Sequence, residues 1–275
     1  MALLSFVRLK STIRTFRHST PATTHHTMTP APISRPYLVL PLYIYPAPGA
    51  WEPLFQAARN SPSVSFIVVV NPCNGPGAEA LPDANYQDAL AQLNSFPNVQ
   101  LLGYVYCSYG SRLTPDIQKD IALYSGWNSQ FRIDGIFFDE VPSADAHASL
   151  MASLSHFTRS TWNQSIGKSG IVVYNPGVAV GERFYRDVDL VVVFEQSEQQ
   201  WRNWYLQQEG PVRGRSKDVA IVHSCSSDAK SLAQDMVKMN LGGLYLTEQS
   251  GGGYTQWPQN WSDIVRVLDH VSTST

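Results

Sequence analysis

Two places in this sequence set ionisable carboxyls directly after bulky apolar runs. Ile136-Phe137-Phe138 is followed by Asp139 and Glu140, and further on Val193-Phe194 is followed by Glu195. A carboxylate in such surroundings is costly to desolvate unless it is paired or hydrogen-bonded. Two of them brought together suit glycoside hydrolysis, which needs one carboxylate as nucleophile or base and one carboxylic acid kept protonated by its environment. The first assignment is Asp139 as nucleophile and Glu195 as acid/base, with the raised pKa on Glu195; the reverse, or Glu140 in place of Asp139, stays open. The plainer reading is that Asp139 or Glu140 pairs with an Arg or caps the helix beginning near Ser143. Because neighbouring strand residues point to opposite faces, only one of those two acids is expected to face a site squarely.

Other apolar runs also end on polar residues: Tyr45, Asn71, Tyr106, Asn175, His223 and Glu248. Tyr43, Tyr45, Trp51, Tyr104, Tyr106, Tyr109 and Tyr174 crowd the same stretches. Aromatic faces there could stack on a pyranose while hydroxyls meet its polar rim. The candidate substrate-binding set is therefore Tyr43, Tyr45, Asn71, Tyr106, Asn175 and His223, although His223 taken alone reads slightly better as an ordinary hydrogen-bonded histidine. Trp201, Trp204, Trp257 and Trp261 read as packing residues. Competing chemistries lack their residues: no His or Cys pair has metal-ligand spacing beside the acids, no Gly-x-Ser-x-Gly elbow occurs, and no Lys ends a strand. No metal and no cofactor is expected.

The elements that would position these residues alternate. Apolar strand runs cover 37–45, 65–71, 100–107, 133–140, 170–175, 189–195, 218–224 and 241–247, with helical stretches near 51–60, 85–96, 114–129, 145–166, 197–208, 228–240 and 258–271. The crossover 176–188 holds at most a short helix near 182–186. Continuous runs such as Phe66 to Val70 fit strands covered on both faces. Eight strands and no Gly-x-Gly-x-x-Gly fingerprint predict a single α/β domain, a closed (β/α)8 TIM barrel over residues 37–272. Such a barrel works at the C-terminal ends of its strands, where the acids lie. Thr114-Pro115 reads as an N-cap followed by the first helical residue. Gly251-Gly252-Gly253 reads as a flexible loop over the mouth.

Of 275 residues, 43% are hydrophobic and 15% charged, enough apolar matter for a sizeable core. Residues 1–36 carry Arg8, Lys10, Arg14, Arg17 and Arg35 and no acid, and are expected not to join the barrel. The composition resembles a mitochondrial presequence and fails as a secretory signal; an upstream extension dispensable from Met28 is the other reading, so cytoplasmic and mitochondrial locations both stay open. The acidic remainder offers no basic footprint for nucleic acid, and no 18-residue apolar span suggests a membrane span. An oligo- or polysaccharide is the expected partner. Cys73, Cys107 and Cys225 are expected as buried thiols, with a Cys73–Cys107 disulfide as an alternative.

Taken together, Leu40-Pro41-Leu42-Tyr43 with Tyr45-Pro46, Val70-Asn71-Pro72, Gly103-Tyr104-Val105, Asp134-Gly135-Ile136-Phe137-Phe138-Asp139-Glu140, Tyr174-Asn175-Pro176-Gly177 and Phe194-Glu195 resemble the spherulin 4 family, which is glycoside hydrolase family 135-like. The resemblance spans Tyr37 to Asp269. It implies a (β/α)8 barrel and, from characterised fungal members, hydrolysis of α-1,4-linked N-acetylgalactosamine in galactosaminogalactan outside the cell. The family's acids after strands four and six match Asp139, Glu140 and Glu195, whereas Glu248 stands where an Asp is expected. A catalytically silent carbohydrate-binding or stress-associated barrel is the alternative, because fold alone does not guarantee turnover.

Overall fold

The computed structural model describes residues 35–207, 216–226, 228–251 and 253–273. All but the last two residues of the basic leader therefore lie outside the described residues. The strands are β1 (Tyr37–Leu42), β2 (Phe66–Val70), β3 (Val99–Tyr106), β4 (Gly135–Asp139), β5 (Ile171–Tyr174), β6 (Leu190–Ser197), β7 (Asp218–His223) and β8 (Gly243–Leu246). They pair in parallel and in chain order, and β8 closes onto β1. Helices α1 (Glu52–Asn60), α2 (Ala84–Leu93), α3 (Thr114–Gly126), α4 (Ala148–Ile166), α5 (Glu198–Gln207) and α6 (Ala229–Val237) fill six of the connections between strands, and α7 (Trp261–Thr273) follows β8. The β5–β6 crossover has only a 3₁₀ turn at Glu182–Tyr185. The fold is the (β/α)8 barrel that the alternation of runs implies.

Every residue of β2 is buried, as its unbroken apolar run requires when barrel interior covers one face and helices the other. The ends of the strands divide labour. At the N-terminal end, Asp134 accepts the Leu101 N–H at 2.8 Å and pairs with Arg132, and Asp189 accepts the Val172 N–H at 2.8 Å and pairs with Arg159. Each aspartate just before one strand thereby satisfies a backbone donor near the start of its neighbour. That end of a barrel serves stability, leaving the opposite end for chemistry.

At α3 the structure corrects the expected cap. Leu113 occupies the N-cap with no side-chain hydrogen bond, and Thr114 already lies inside the helix with Pro115 in its first turn. Leu113 is extended, the conformation a residue needs immediately outside a helix, so backbone geometry rather than a hydroxyl sets the boundary. The cysteines are also partly corrected. Cys107 and Cys225 are buried thiols, but Cys73 is exposed, and no disulfide joins it to Cys107. Cys73 falls in the loop after β2, where its N–H bonds to Gly75, whereas burial pushes the Cys107 thiol up to about 12. Trp201 and Trp261 pack as expected and Trp257 is partly buried; the side chain of Trp204 lies outside the described residues.

One glycine is required by close approach. A Cβ at Gly103 would stand 2.5 Å from the ring of Tyr124, a fully buried side chain of α3 whose hydroxyl donates to the Val70 carbonyl at 3.2 Å. The ring cannot retreat without losing that bond and the contacts of a close-packed layer. Gly103→Ala is expected to cost about 1–3 kcal/mol by overpacking. Thermal unfolding checks this, and an unchanged midpoint would show that Tyr124 can move aside.

Candidate active site

The C-terminal ends of β4, β5 and β6 bring Asp139, Asn175 and Glu195 together. Asn175 follows β5 directly, and its side-chain nitrogen donates to Asp139 Oδ1 at 2.8 Å and to Glu195 Oε2 at 2.5 Å. The two lengths limit those acceptor oxygens to a separation of about 5.3 Å. The amide cannot be turned over without loss, because its oxygen accepts the Gly177 N–H at 3.0 Å. Gly177 in turn has φ 66°, a conformation natural to glycine, and its carbonyl accepts the Glu195 N–H at 3.1 Å. The Asn175-Pro176-Gly177 turn thus takes over as backbone partner of β6 where the short β5 has ended. On its other side β6 shifts register against β7 between Val192 and Phe194, an irregularity of the kind that re-aims side chains beside barrel sites.

Each carboxyl also has its own tyrosine. Tyr104, from β3, hydrogen-bonds Asp139, and Tyr254, from the loop after β8, donates to Glu195 Oε1 at 2.6 Å. Burial, then the neighbouring carboxylate, pushes both phenols far above the ordinary range, so they remain neutral donors. Tyr43 packs edge-on against both rings, at 5.6 Å from Tyr104 and 6.0 Å from Tyr254. The Asp139 carboxyl is pushed up to about 6, first by burial and second by the charge of Glu195. The raised carboxyl is therefore Asp139, whereas the apolar run before Glu195 suggested that residue.

A cavity of about 750 Å³ opens over this cluster. Asp139, Glu140, Asn175, Glu195 and His223 line it, with Tyr109, Ser143, Val178 and Gln196 among the other walls. Among the described residues the wall thus carries three carboxylates and no Lys or Arg. Both acids of the Asp139-Glu140 pair reach it, contrary to strand alternation, because Glu140 leaves the strand with φ 51°. Left-handed non-glycine residues gather at this end of the barrel: Asn74, Ser108, Tyr109, Glu140, Ser224 and Tyr254 all follow strands. Such conformations persist where surrounding contacts over-determine them, and functional sites are where they collect.

Several expected binding residues lie elsewhere. Tyr45 is half exposed and turned to α2, accepting from Asn85 and donating to Asp83. Asn71 spends its side-chain oxygen on the Gly75 N–H, closing the loop after β2. Tyr106 lies under Arg112, whose guanidinium carbon is 4.0 Å from the ring centre and whose charge is paired with Asp120. Tyr43 belongs to the aromatic support of the carboxyls and is not part of the cavity wall. Glu248 accepts the Gln259 N–H, and Tyr174 and Trp51 are core residues. Tyr254 was not singled out by sequence reasoning; the signal available was its place just after the glycine run read as a loop over the mouth. Among the described residues no His/Cys/Asp/Glu group could hold a metal ion, and no helix is long and apolar enough to cross a membrane.

Comparison with known proteins agrees with the fold. The family model described as spherulation-specific family 4 matches residues 37–268. A curated relative, Spherulin-4 of Physarum polycephalum, is 31% identical over 226 residues, covering 78% of this chain; the chain spans 64% of that relative's length. Among solved structures, Sph3 of Aspergillus clavatus in complex with GalNAc superposes with a TM-score of 0.74 at 31% identity, covering 86% of this chain and 98% of that one.

Proposed function

This chain belongs to the spherulation-specific family 4, and from that premise we propose that its glycoside hydrolase-like barrel cleaves α-1,4-linked N-acetylgalactosamine or galactosamine glycans with the Asp139–Glu195 pair. The observation that carries the reading is the single amide of Asn175 bridging the two carboxyls. It holds the two bonded oxygens no more than about 5.3 Å apart, which suits the short separation of retaining glycosidases, about 5–5.5 Å, better than the roughly 6.5–9.5 Å that leaves room for an inverting water. The structural similarity to a protein bound to GalNAc supports the choice of sugar.

In this reading Glu195, with a donor on each oxygen, is the ionised partner and nucleophile. Asp139, which holds its proton most readily, is the acid. Glu195 attacks the anomeric carbon while the glycosidic C–O bond breaks and the Asp139 proton passes to the leaving oxygen. Asp139, now ionised, takes a proton from water, whose oxygen displaces Glu195 and restores both groups. Asn175 keeps the two carboxyls at working distance throughout. The test is to incubate the chain with α-1,4-linked N-acetylgalactosamine oligosaccharides and follow the first-formed anomer by proton NMR. Release of the α-anomer is expected. First release of the β-anomer would overturn the retaining pair, and no cleavage would favour the silent carbohydrate-binding barrel.

A further inference from the structure

Tyr45, Tyr109, Leu113 and Val178 are the large apolar side chains exposed among the described residues, and Tyr109 and Val178 lie on the cavity wall. Tyr109 is 69% exposed. Its backbone is not free to hide it. Ser108, Tyr109 and Gly110 are three successive left-handed residues, with φ of 45°, 53° and 88°. The Tyr109 N–H bonds to the Glu140 carbonyl at 2.7 Å and the Cys107 N–H to the Asp139 carbonyl at 2.8 Å, continuing the β3–β4 pairing beyond both strands. Ser111 closes the turn, its N–H and hydroxyl both donating to the Ser108 carbonyl. A Cβ on Gly110 would come within 3.2 Å of His147, so the turn is also seated on the loop after β4. Two adjacent non-glycine residues in this region are strained, and here they hold an aromatic ring in water.

The order of strands around the mouth places this ring. From β3 to β7 the wall presents Tyr109, then Glu140 and Asp139, then Asn175, Glu195 and His223. The reacting pair sits in the middle and Tyr109 at one end, with Glu140 between. Glu140 carries a carboxylate, and among the described residues no Lys or Arg lines the cavity beside it.

Resting on the proposed hydrolase reading, the geometry points to Tyr109 as a stacking platform for a second sugar, one residue away from the bond cleaved, with Glu140 accepting hydrogen bonds from that sugar's hydroxyl or amino groups. An aromatic face fits the C–H face of a pyranose, and the fixed backbone spares the ordering cost of the ring's support. The enzyme is then specific for chains rather than single sugars.

The experiment compares an aryl α-N-acetylgalactosaminide, which has one sugar, with an α-1,4-linked N-acetylgalactosamine hexamer. Tyr109→Ala is expected to raise the hexamer KM about tenfold relative to that of the aryl glycoside, while Tyr109→Phe keeps the wild-type ratio. Calorimetry of the hexamer with Glu195→Gln, alone and combined with Tyr109→Ala, reads the platform without turnover, so a failure of hydrolysis is told apart from a failure of the platform. A tenfold weaker hexamer in the double variant supports the proposal even if the parent cleaves nothing. Equal losses on both substrates, a wild-type hexamer constant for Tyr109→Ala, or no hexamer binding by Glu195→Gln would each overturn it.

Discussion

Glu195→Gln is expected to abolish hydrolysis of every glycoside, and Asp139→Asn to abolish hydrolysis only where the leaving group needs a proton. The nucleophile's absence cannot be offset by a better leaving group, so the loss for Glu195→Gln is on the order of 10⁵-fold on oligosaccharides and aryl glycosides alike. Protonation is worth about 10²–10⁴-fold. Asp139→Asn should lose that factor on oligosaccharides and recover most of it in bond breaking on a dinitrophenyl glycoside, which departs without a proton. Its second step still wants a base, so the glycosyl-enzyme should accumulate, and added azide should speed its breakdown. The measurement is kcat/KM on both substrates for both variants, with intact-mass detection of the intermediate. If Asp139→Asn is dead on the activated glycoside while Glu195→Gln keeps part of that activity, the roles are the reverse, as the apolar run before Glu195 first suggested. The Asn175 amide makes the expectation sharp, because either variant keeps one carboxyl oxygen or amide within its reach and so leaves the cluster assembled.

Much of this was legible in the sequence because the barrel is written in a coarse code. Apolar runs covered on both faces, separated by amphipathic stretches, leave little choice but parallel strands and crossovers, and Asp139, Asn175 and Glu195 stand at run ends where such a barrel works. What stayed hidden depends on features finer than that code. Tyr45, Asn71 and Tyr106 also end apolar runs, yet each is held by a local partner: Asp83 and Asn85, the Gly75 N–H, and the Arg112 guanidinium. Position along a strand does not reveal such partners. Glu140 joins Asp139 on the cavity wall through a single left-handed φ, which no strand pattern shows. Tyr254 reaches Glu195 from a loop with no periodicity at all. Which acid is the more enclosed is hidden as well: both follow apolar runs, but Tyr104 from β3 hydrogen-bonds Asp139 and Tyr43 packs against that ring.

That enclosure predicts the pH dependence. The folded protein pushes the Asp139 carboxyl from 3.8 up to about 6, burial contributing most and the Glu195 charge next. An acid in the free protein must carry its proton, so kcat/KM is expected to fall about tenfold per pH unit as pH rises above roughly 6. Carbon NMR of the Asp139 carboxyl checks the group itself: in Glu195→Gln its midpoint should move down, since a like charge is gone, yet stay above the ordinary value because burial remains. Stability follows with the same sign. A carboxyl whose folded pKa is raised favours the folded state below the unfolded pKa, and that contribution is lost as pH rises through the folded one. At pH 7 the folded chain therefore holds a buried charge that Asp139→Asn removes, and the variant should be more stable by on the order of 2 kcal/mol while nearly inactive on oligosaccharides. The gain should fade towards pH 4, where the wild-type group is itself largely protonated when folded. Thermal unfolding of both proteins at pH 4 and pH 7 measures the difference. A variant less stable at pH 7 would mean that the hydrogen bonds from Tyr104 and Asn175 to an ionised Asp139 outweigh its burial, and the proton would then have to be sought on Glu195.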